Sequence, residues 1–273
     1  MRAPCVLVLH LCSTCAAETL SLTRPRLLLQ FKAGDKVYCC SSTYVAQTPE
    51  LQGTYAEYCI LKDSWVALAP STLTLVDAAA VPLVALTAVQ ALDKAESSPG
   101  QRILITGASG GVGHIAVQLA KLDYKLHVTA AASAKHREWM RALGADEVVD
   151  YTVGIQQCLA PFTGNKFDII LDVIGGEFLD YATKNVLKEG GIVSEVMNRG
   201  TGESDVAKEQ GAGVRFATTL IQPNGAQLKH LAEHIDAGKL KVKVAQRYPL
   251  EQAGAAQEEV LAGHAGGKVV LTI

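Results

Sequence analysis

The sequence predicts an α/β protein built on a doubly wound parallel sheet, with a smaller β-rich region beside it. Three observations carry this reading. After Pro99-Gly100, short apolar segments alternate with stretches of helical length, as in successive βαβ units. A glycine-rich turn, Thr106-Gly-Ala-Ser-Gly-Gly-Val-Gly113, leaves the first apolar segment and runs straight into an apolar helix. Residues 31–70, by contrast, hold short runs of β-formers punctuated by proline and glycine.

The elements follow in order. Residues 1–30 differ from the rest. They carry Cys5, Cys12 and Cys15, and their basic start, short apolar run and Cys15-Ala16-Ala17 faintly resemble a signal peptide. The apolar run is short and contains His10, so an atypical, poorly ordered leader is the favoured reading. Cys12 and Cys15 have the spacing of a redox pair or half a zinc site, but no second pair follows at zinc spacing and no metal is expected. Gly34-Asp35 is turn chemistry feeding a strand at Val37 and Tyr38, and residues 53–61 read as a second strand. Asp77 opens a helix that runs to 94, and Ser97-Ser98-Pro99-Gly100 breaks the chain.

Beyond the break, strands are expected at 103–106, 126–131, 147–151, 167–172, 192–196 and 214–220. Helices are expected at 111–122, 134–143, 176–187 and 224–237. Gly144, Gly190-Gly191 and Gly238 stand as the stops of the last three. A short strand at 242–244, a helix at 251–261 and a strand at 269–273 finish the chain. The expected division is a leader (1–30), a β-rich domain from 31–90 with 241–273, and a sheet domain over 91–240.

Composition excludes several classes. The 273 residues are 49% hydrophobic and 19% charged, with a mean hydropathy of +0.18, enough apolar material for a large core and against disorder. A net charge of −2 and 5% aromatics leave no electrostatic or stacking footprint for nucleic acid. The longest nearly apolar run, 78–92, is interrupted by Pro82, Thr87 and Gln90 and falls short of the ~20 residues of a membrane helix, so no integral membrane segment is expected. Cys39, Cys40, Cys59 and Cys158 form no disulfide framework, which fits a reducing compartment such as the cytoplasm. The seven histidines show no ligand cluster; His230 and His234 share a helix face without a third ligand.

The glycine turn carries the chemistry. Ala108, Gly110 and Gly113 stand in a variant of the dinucleotide fingerprint, with alanine in the first place. A small residue at 108 permits the tight turn, Gly110 admits a pyrophosphate to the backbone, and Gly113 lets helix and strand pack closely. The helix that follows offers free N–H groups and the positive end of its dipole to phosphate. Sites for NAD usually place Asp or Glu at the end of the second strand. Here Lys135, His136 and Arg137 follow that strand instead, which suits the 2′-phosphate of NADP. The alternative is that these cations decorate an exposed helix start.

Three stretches, Thr106 to Lys121, Leu143-Gly-Ala-Asp-Glu-Val-Val-Asp-Tyr151 and Gly266-Gly-Lys-Val-Val-Leu271, make the chain resemble the zinc-independent quinone oxidoreductases and enone reductases of the medium-chain dehydrogenase/reductase superfamily. It resembles the plant and algal chloroplast-envelope homologues in particular, and the likeness covers residues 31–273. It implies a Rossmann domain with a GroES-like β-barrel domain, NADPH as cofactor, a small quinone or α,β-unsaturated carbonyl as substrate, hydride transfer without zinc, a homodimer, and the chloroplast as an alternative location. Residue by residue, Ser109, Gly110, Gly111, Val112 and Gly113 match the pyrophosphate loop. Ala132 matches a backbone position beside the adenosine ribose. Lys135 and Tyr151 fall near the 2′-phosphate, and 196–199, with Val196 and Arg199, in a loop reaching the nicotinamide half. Thr87 matches a threonine near the nicotinamide ribose; it reads equally as a helix residue bonded to its own turn. Zinc-bearing relatives carry a Cys near position 83 and an upstream Gly-His-Glu, and neither is found here. Tyr44 and Tyr55 are candidates for the cleft, with ordinary barrel tyrosines as the alternative, and no acid–base residue is assigned. Family members also carry a longer segment before Phe31, so the barrel is expected to be incomplete. A cofactor-binding protein with weak or no turnover is therefore the alternative function.

Overall fold

The computed structural model describes residues 5–9, 14–17, 31, 34–41, 54–57, 59, 61–196, 213–263 and 265–273. The chain divides into two compact units, Thr87–Leu220 and Met1–Leu86 with Ile221–Ile273.

The first unit holds a six-stranded parallel sheet. Its strands are β5 (Arg102–Ile105), β6 (His127–Ala132), β7 (Glu147–Asp150), β8 (Phe167–Asp172), β9 (Leu187–Glu195) and β10 (Arg215–Thr218). They lie in the order β10-β9-β8-β5-β6-β7, every neighbouring pair parallel. Counted from β5, this is the 3-2-1-4-5-6 order of a Rossmann sheet, whose switch point lies between β5 and β8. The sequence dictates this because the strands are continuous apolar runs: Ile103, Leu104, Ile105, Ile169, Ile170 and Leu171 are all fully buried. Helix α3 (Gly113–Leu122) is buried from Gly113 to Ala120. Further helices are α4 (Arg137–Ala142), α5 (Ile155–Leu159) and α6 (Glu177–Asn185). On one face Leu104, Phe162, Phe167, Ile170, Leu179 and Val193 build a single cluster, with the Phe162 and Phe167 rings 5.0 Å apart.

One local departure concerns Gly190-Gly191. Read as a helix stop, the pair instead lies inside β9, near a register shift opposite β8. Gly190 has φ +72°, and a Cβ at Gly191 would meet Leu187 Cδ1 at 2.8 Å and Lys188 O at 2.9 Å. The glycines permit the irregularity that lets the strand start early.

The second unit holds a sheet ordered β11-β12-β1-β2-β3-β4. Its strands are β1 (Cys5–Leu9), β2 (Thr14–Ala17), β3 (Val37–Cys40), β4 (Val66–Leu68), β11 (Val244–Pro249) and β12 (Lys268–Thr272). All neighbours run antiparallel except β11 and β12. Strands β1 and β2 fall in the segment expected to be a leader outside the fold. The reason is pairing: Cys5-Val-Leu-Val-Leu9 is a run of β-formers, and its backbone ladders onto β12 with Leu7 opposite Leu271. Residues 54–57, expected within a strand over 53–61, are bends. Val37, Cys39, Val66, Ala256, Val269 and Leu271 form one buried cluster of this unit.

Helix α7 (Gly225–Asp236), capped by Asn224, joins the second unit, not the sheet domain that the sequence suggested for 224–237. Two contacts fix it there. The buried Tyr38 hydroxyl donates to Leu228 O at 2.6 Å. Gly225 lies so close to the β4 backbone that a Cβ would strike Val66 O and approach Ser64 O to 2.9 Å. The remaining helices are α1 (Leu75–Ala78), α2 (Pro82–Lys94) and α8 (Ala253–Leu261). Thr74, not Asp77, caps α1: its hydroxyl accepts from the Asp77 N–H at 3.1 Å. The stretch Leu75–Lys94 has 20 residues and is long and apolar enough to cross a membrane by length and composition, more than the sequence reading counted. A burial of 78% within the protein accounts for that composition without a membrane.

Charges gather at the opposite edge of the parallel sheet from the glycine turn. Lys121 Nζ contacts both Asp146 oxygens at 2.9 and 3.0 Å, and the Val128 N–H donates to Asp146 at 2.7 Å. Burial raises the Asp146 carboxyl, but these bonds and the charges of Lys121 and His127 reverse this and leave it below its usual 3.8. A depressed folded value means its stabilisation is present above the unfolded value and lost as pH falls through the folded one. Asp146 is partly exposed, so Asp146→Asn is expected to cost about 0.5–1 kcal/mol near neutral pH. Urea denaturation should show that gap closing as the pH drops below 3.8; a gap unchanged across that range contradicts the assignment.

Candidate functional site

The site is built where β5 ends. Thr106 N–H still donates to Leu171 O of β8 at 3.0 Å, and then Gly107 turns the chain with φ +55°. The Ala108 N–H donates to Ala131 O of β6 and the Gly110 N–H to Gly107 O at 2.9 Å, closing a tight turn before α3. Glycine is required at two places. A Cβ on Gly113 would collide with Gly107 O and sit 2.7 Å from Ala108 Cα. A Cβ on Gly107 would lie 2.7 Å from Val173 Cγ2 and 2.8 Å from Ile174 Cγ1. At Gly110 the added atom would press on Gly107 O at 3.2 Å. In the first turn of α3 the His114 N–H donates to Gly110 O at 3.2 Å and those of Ile115 and Ala116 to Val112 O at 3.2 and 2.9 Å, so the N–H groups a phosphate would meet are those of Gly111, Val112 and Gly113.

The expected residues fall into two groups. Ser109, Gly110, Gly111, Val112 and Gly113 form the turn and the start of α3. Ala132 ends β6, directly beside Asp150 of β7, so Lys135 and Tyr151 extend from adjacent strand ends. Lys135 and Tyr151 are both exposed. The Asp150 carboxylate accepts from the Thr152 hydroxyl at 2.7 Å and N–H at 3.0 Å; these bonds, with the Ala134 N–H and the Arg137 charge, hold it below the ordinary value. Bonding to the Ala134 N–H ties the end of β7 to the loop that presents Lys135. Arg137, a candidate cation, turns its guanidinium to Val148 O at 3.2 Å. Val196 follows β9 and donates its N–H to Asp172 O at 2.9 Å, at the same strand-end edge. Thr87 is a buried residue of α2 and lies outside this row of strand ends. Tyr55 packs against the core of the β-rich unit. Arg199 and Tyr44 lie outside the described residues.

Several groups went unnoticed in the sequence. Asp172, fully buried, accepts from the Thr106 hydroxyl at 2.6 Å and from the Gly175 N–H at 2.7 Å. Burial pushes its carboxyl up against those bonds. Glu195 is its register partner on β9, and burial followed by the Asp172 charge pushes its carboxyl up too. The only available signal was an acid closing the apolar run Phe167-Asp-Ile-Ile-Leu-Asp172. His114 is also buried, with Nδ1 2.7 Å from Gly110 O. A carbonyl only accepts, so Nδ1 carries the proton in that bond. Its ring packs on Trp139, 5.7 Å between centroids, and Trp139 in turn meets His136 at 5.6 Å.

A Rossmann sheet with a glycine turn at its switch point, accompanied by a β-rich unit assembled from both ends of the chain, defines the medium-chain dehydrogenase/reductase fold. Comparison with known proteins agrees. Residues 143–271 match the family model "Zinc-binding dehydrogenase". The chain is 33% identical over 251 residues to "Quinone-oxidoreductase homolog, chloroplastic" of Spinacia oleracea, covering 89% of this chain and 74% of that one. It is 34% identical over 269 residues to "NAD(P)H oxidoreductase RTN4IP1, mitochondrial" of Mus musculus, covering 89% of this chain and 65% of the relative. The solved quinone oxidoreductase from Coxiella burnetii superposes with a TM-score of 0.80 at 29% identity, over 96% of this chain and 78% of that one. The chain belongs to the zinc-independent quinone oxidoreductase branch of the medium-chain dehydrogenase/reductase family. The name of the matching model refers to zinc. Among the described residues, however, no cysteine shares a ligand cluster with two other His, Cys, Asp or Glu side chains. Among the described residues the donors do not make a cysteine-bound catalytic zinc site.

Gly113→Ala tests the turn. Overpacking against Gly107 and Ala108 is expected to cost about 1–3 kcal/mol in thermal or urea denaturation. Dinucleotide binding should fall with it, whereas Gly164→Ala, at an exposed position with open space around it, should change neither.

Proposed function

We propose that the chain binds NADPH at the β5–β8 switch point and serves hydride transfer to a quinone or an α,β-unsaturated carbonyl without a metal. The observation that carries this reading is the tight turn from Gly107 to Gly113, which runs from the end of β5 into the N-terminus of α3 and has no room for a Cβ at Gly107 or Gly113. When bound, the cofactor supplies a hydride from its nicotinamide ring. The chain's own residues hold and orient it. Ser109, the bare backbone of Gly110 and the N–H groups of Gly111, Val112 and Gly113 would receive the pyrophosphate. Ala132 would back the adenosine ribose, with Lys135 and Tyr151 toward the 2′-phosphate. Val196 and Arg199, and Thr87 at the ribose, would serve the nicotinamide half.

The choice of NADPH over NADH rests on charge. No acid ends β6, and exposed Lys135 has no ion-pair partner among the described residues. A 2′-phosphate beside an ammonium gains a charge-assisted contact that a 2′-hydroxyl does not. On the acceptor side, both substrate types take hydride to give an oxyanion or enolate, which hydrogen-bond donors stabilise and water or a hydroxyl protonates. Relatives named for chloroplast and mitochondrion support an organelle over the cytoplasm. A homodimer joined through the β10 edge of the parallel sheet completes the reading by analogy; light scattering reads its mass.

Oxidation of NADPH with a panel of quinones and enals tests the activity. Turnover supports the reading; cofactor binding without oxidation supports the alternative of a silent NADPH-binding protein. Lys135→Glu is expected to weaken NADPH about tenfold while leaving NADH nearly unchanged, as loss of one charge-assisted contact implies. Equal weakening of both cofactors in a fluorescence titration would remove Lys135 from the phosphate subsite.

A further inference from the structure

The groups left over from the cofactor reading converge on the switch point itself. Thr106 ends β5 and is buried. Its hydroxyl donates to Asp172 Oδ1 at 2.6 Å and accepts from the Val173 N–H at 3.0 Å. The other oxygen of Asp172 accepts from the Gly175 N–H at 2.7 Å. One threonine and one carboxylate thus tie together the two lips of the crevice, the Gly107 turn after β5 and the 173–176 turn after β8. The second lip bends through Gly175 and Gly176, at φ +75° and +71°, a conformation that needs fixing from outside because glycine does not fix itself.

The clamp has a visible result. It sets Val173 and Ile174 directly over Gly107, close enough to exclude any Cβ there. Ile174 remains 51% exposed, on a turn held by hydrogen bonds from below. An aliphatic side chain left in water beside a phosphate-binding turn is a surface that a bound planar ligand would cover.

We propose that Asp172, acting through Thr106, is a positioning residue that holds the two lips of the crevice at the spacing the cofactor requires, with Ile174 as the apolar surface the cofactor covers. This rests on the NADPH reading above and adds to it the residues that set the geometry. Asp172 touches neither cofactor nor substrate. Its carboxylate is the anchor, and the Thr106 hydroxyl passes its position to the glycine turn.

The test uses the full chain with Thr106→Val, Thr106→Ser and Asp172→Asn, and NADPH as the probe. Thr106→Val removes the hydroxyl at constant shape, so NADPH affinity should fall about tenfold, as expected for a lost hydrogen bond to a charged group. Thr106→Ser keeps the hydroxyl and should restore affinity to within about twofold, since the bond to Asp172 survives. In turnover, the Thr106→Val loss should appear in KM for NADPH more than in kcat. If Asp172→Asn fails to fold, the Thr106 pair still decides. A folded Thr106→Val protein that binds NADPH as wild type does overturns the proposal, as does a Thr106→Ser protein as weak as Thr106→Val. Wild-type chain that binds no NADPH overturns the cofactor reading, and this proposal with it.

Discussion

The structure depends on one close approach, the start of α3 against the end of β5. Gly113 lies against Gly107 O and Ala108 Cα with no space for a side chain, and Gly107 lies equally close under Val173 and Ile174. Because helix and strand meet at backbone distance, the turn between them is short, with the Ala108 N–H tied to Ala131 O and the Gly110 N–H closed onto Gly107 O. A single methyl at Gly113 would push α3 away from the end of β5, and one at Gly107 would press on Val173 and Ile174. The burial of α3 from Gly113 to Ala120 shows how much packing is anchored to that contact. Stability and phosphate recognition therefore draw on the same few atoms.

Around that contact the sheet order does the arranging. Parallel strands need crossovers, and each crossover returns the chain so that every strand ends at one edge. Thr106, Ala132, Asp150, Asp172 and Glu195 come from five separate strand ends or just beyond, and all gather there. The opposite edge collects ion pairs instead: Arg102 with Glu147, Lys121 with Asp146, and Lys188 with Asp168. The partition separates an edge held by ion pairs from the edge that carries the glycine turn.

Much of the sheet domain was legible because its signals are local. Continuous apolar runs mark strands buried on both faces, and β8 falls on the expected residues 167–172. The glycine turn could be read because each glycine answers a steric demand within a few residues. What escaped depends on partners far away in sequence. Nothing near Asn224 says that α7 packs on β3 and β4; that follows from Tyr38 reaching Leu228 and from the bare Gly225. The Gly190-Gly191 pair has the composition of a helix stop, and only the β8 register shows it inside a strand. Asp172 looked like the polar end of a strand until Thr106, sixty-six positions away, was seen to bond it. Strand β1 has the right composition, but its place is set by β12.

That pairing of β1 with β12 has a consequence for how the protein comes into being. Leu7 is synthesised well before Leu271, yet they face each other in one ladder. The parallel sheet needs only residues between 102 and 218, so it can form while synthesis continues. The β-rich sheet must wait for β12, with β1 unpaired on one side until then. Synthesis thus imposes an order on assembly: the cofactor-binding half is complete before the other half has its last strand.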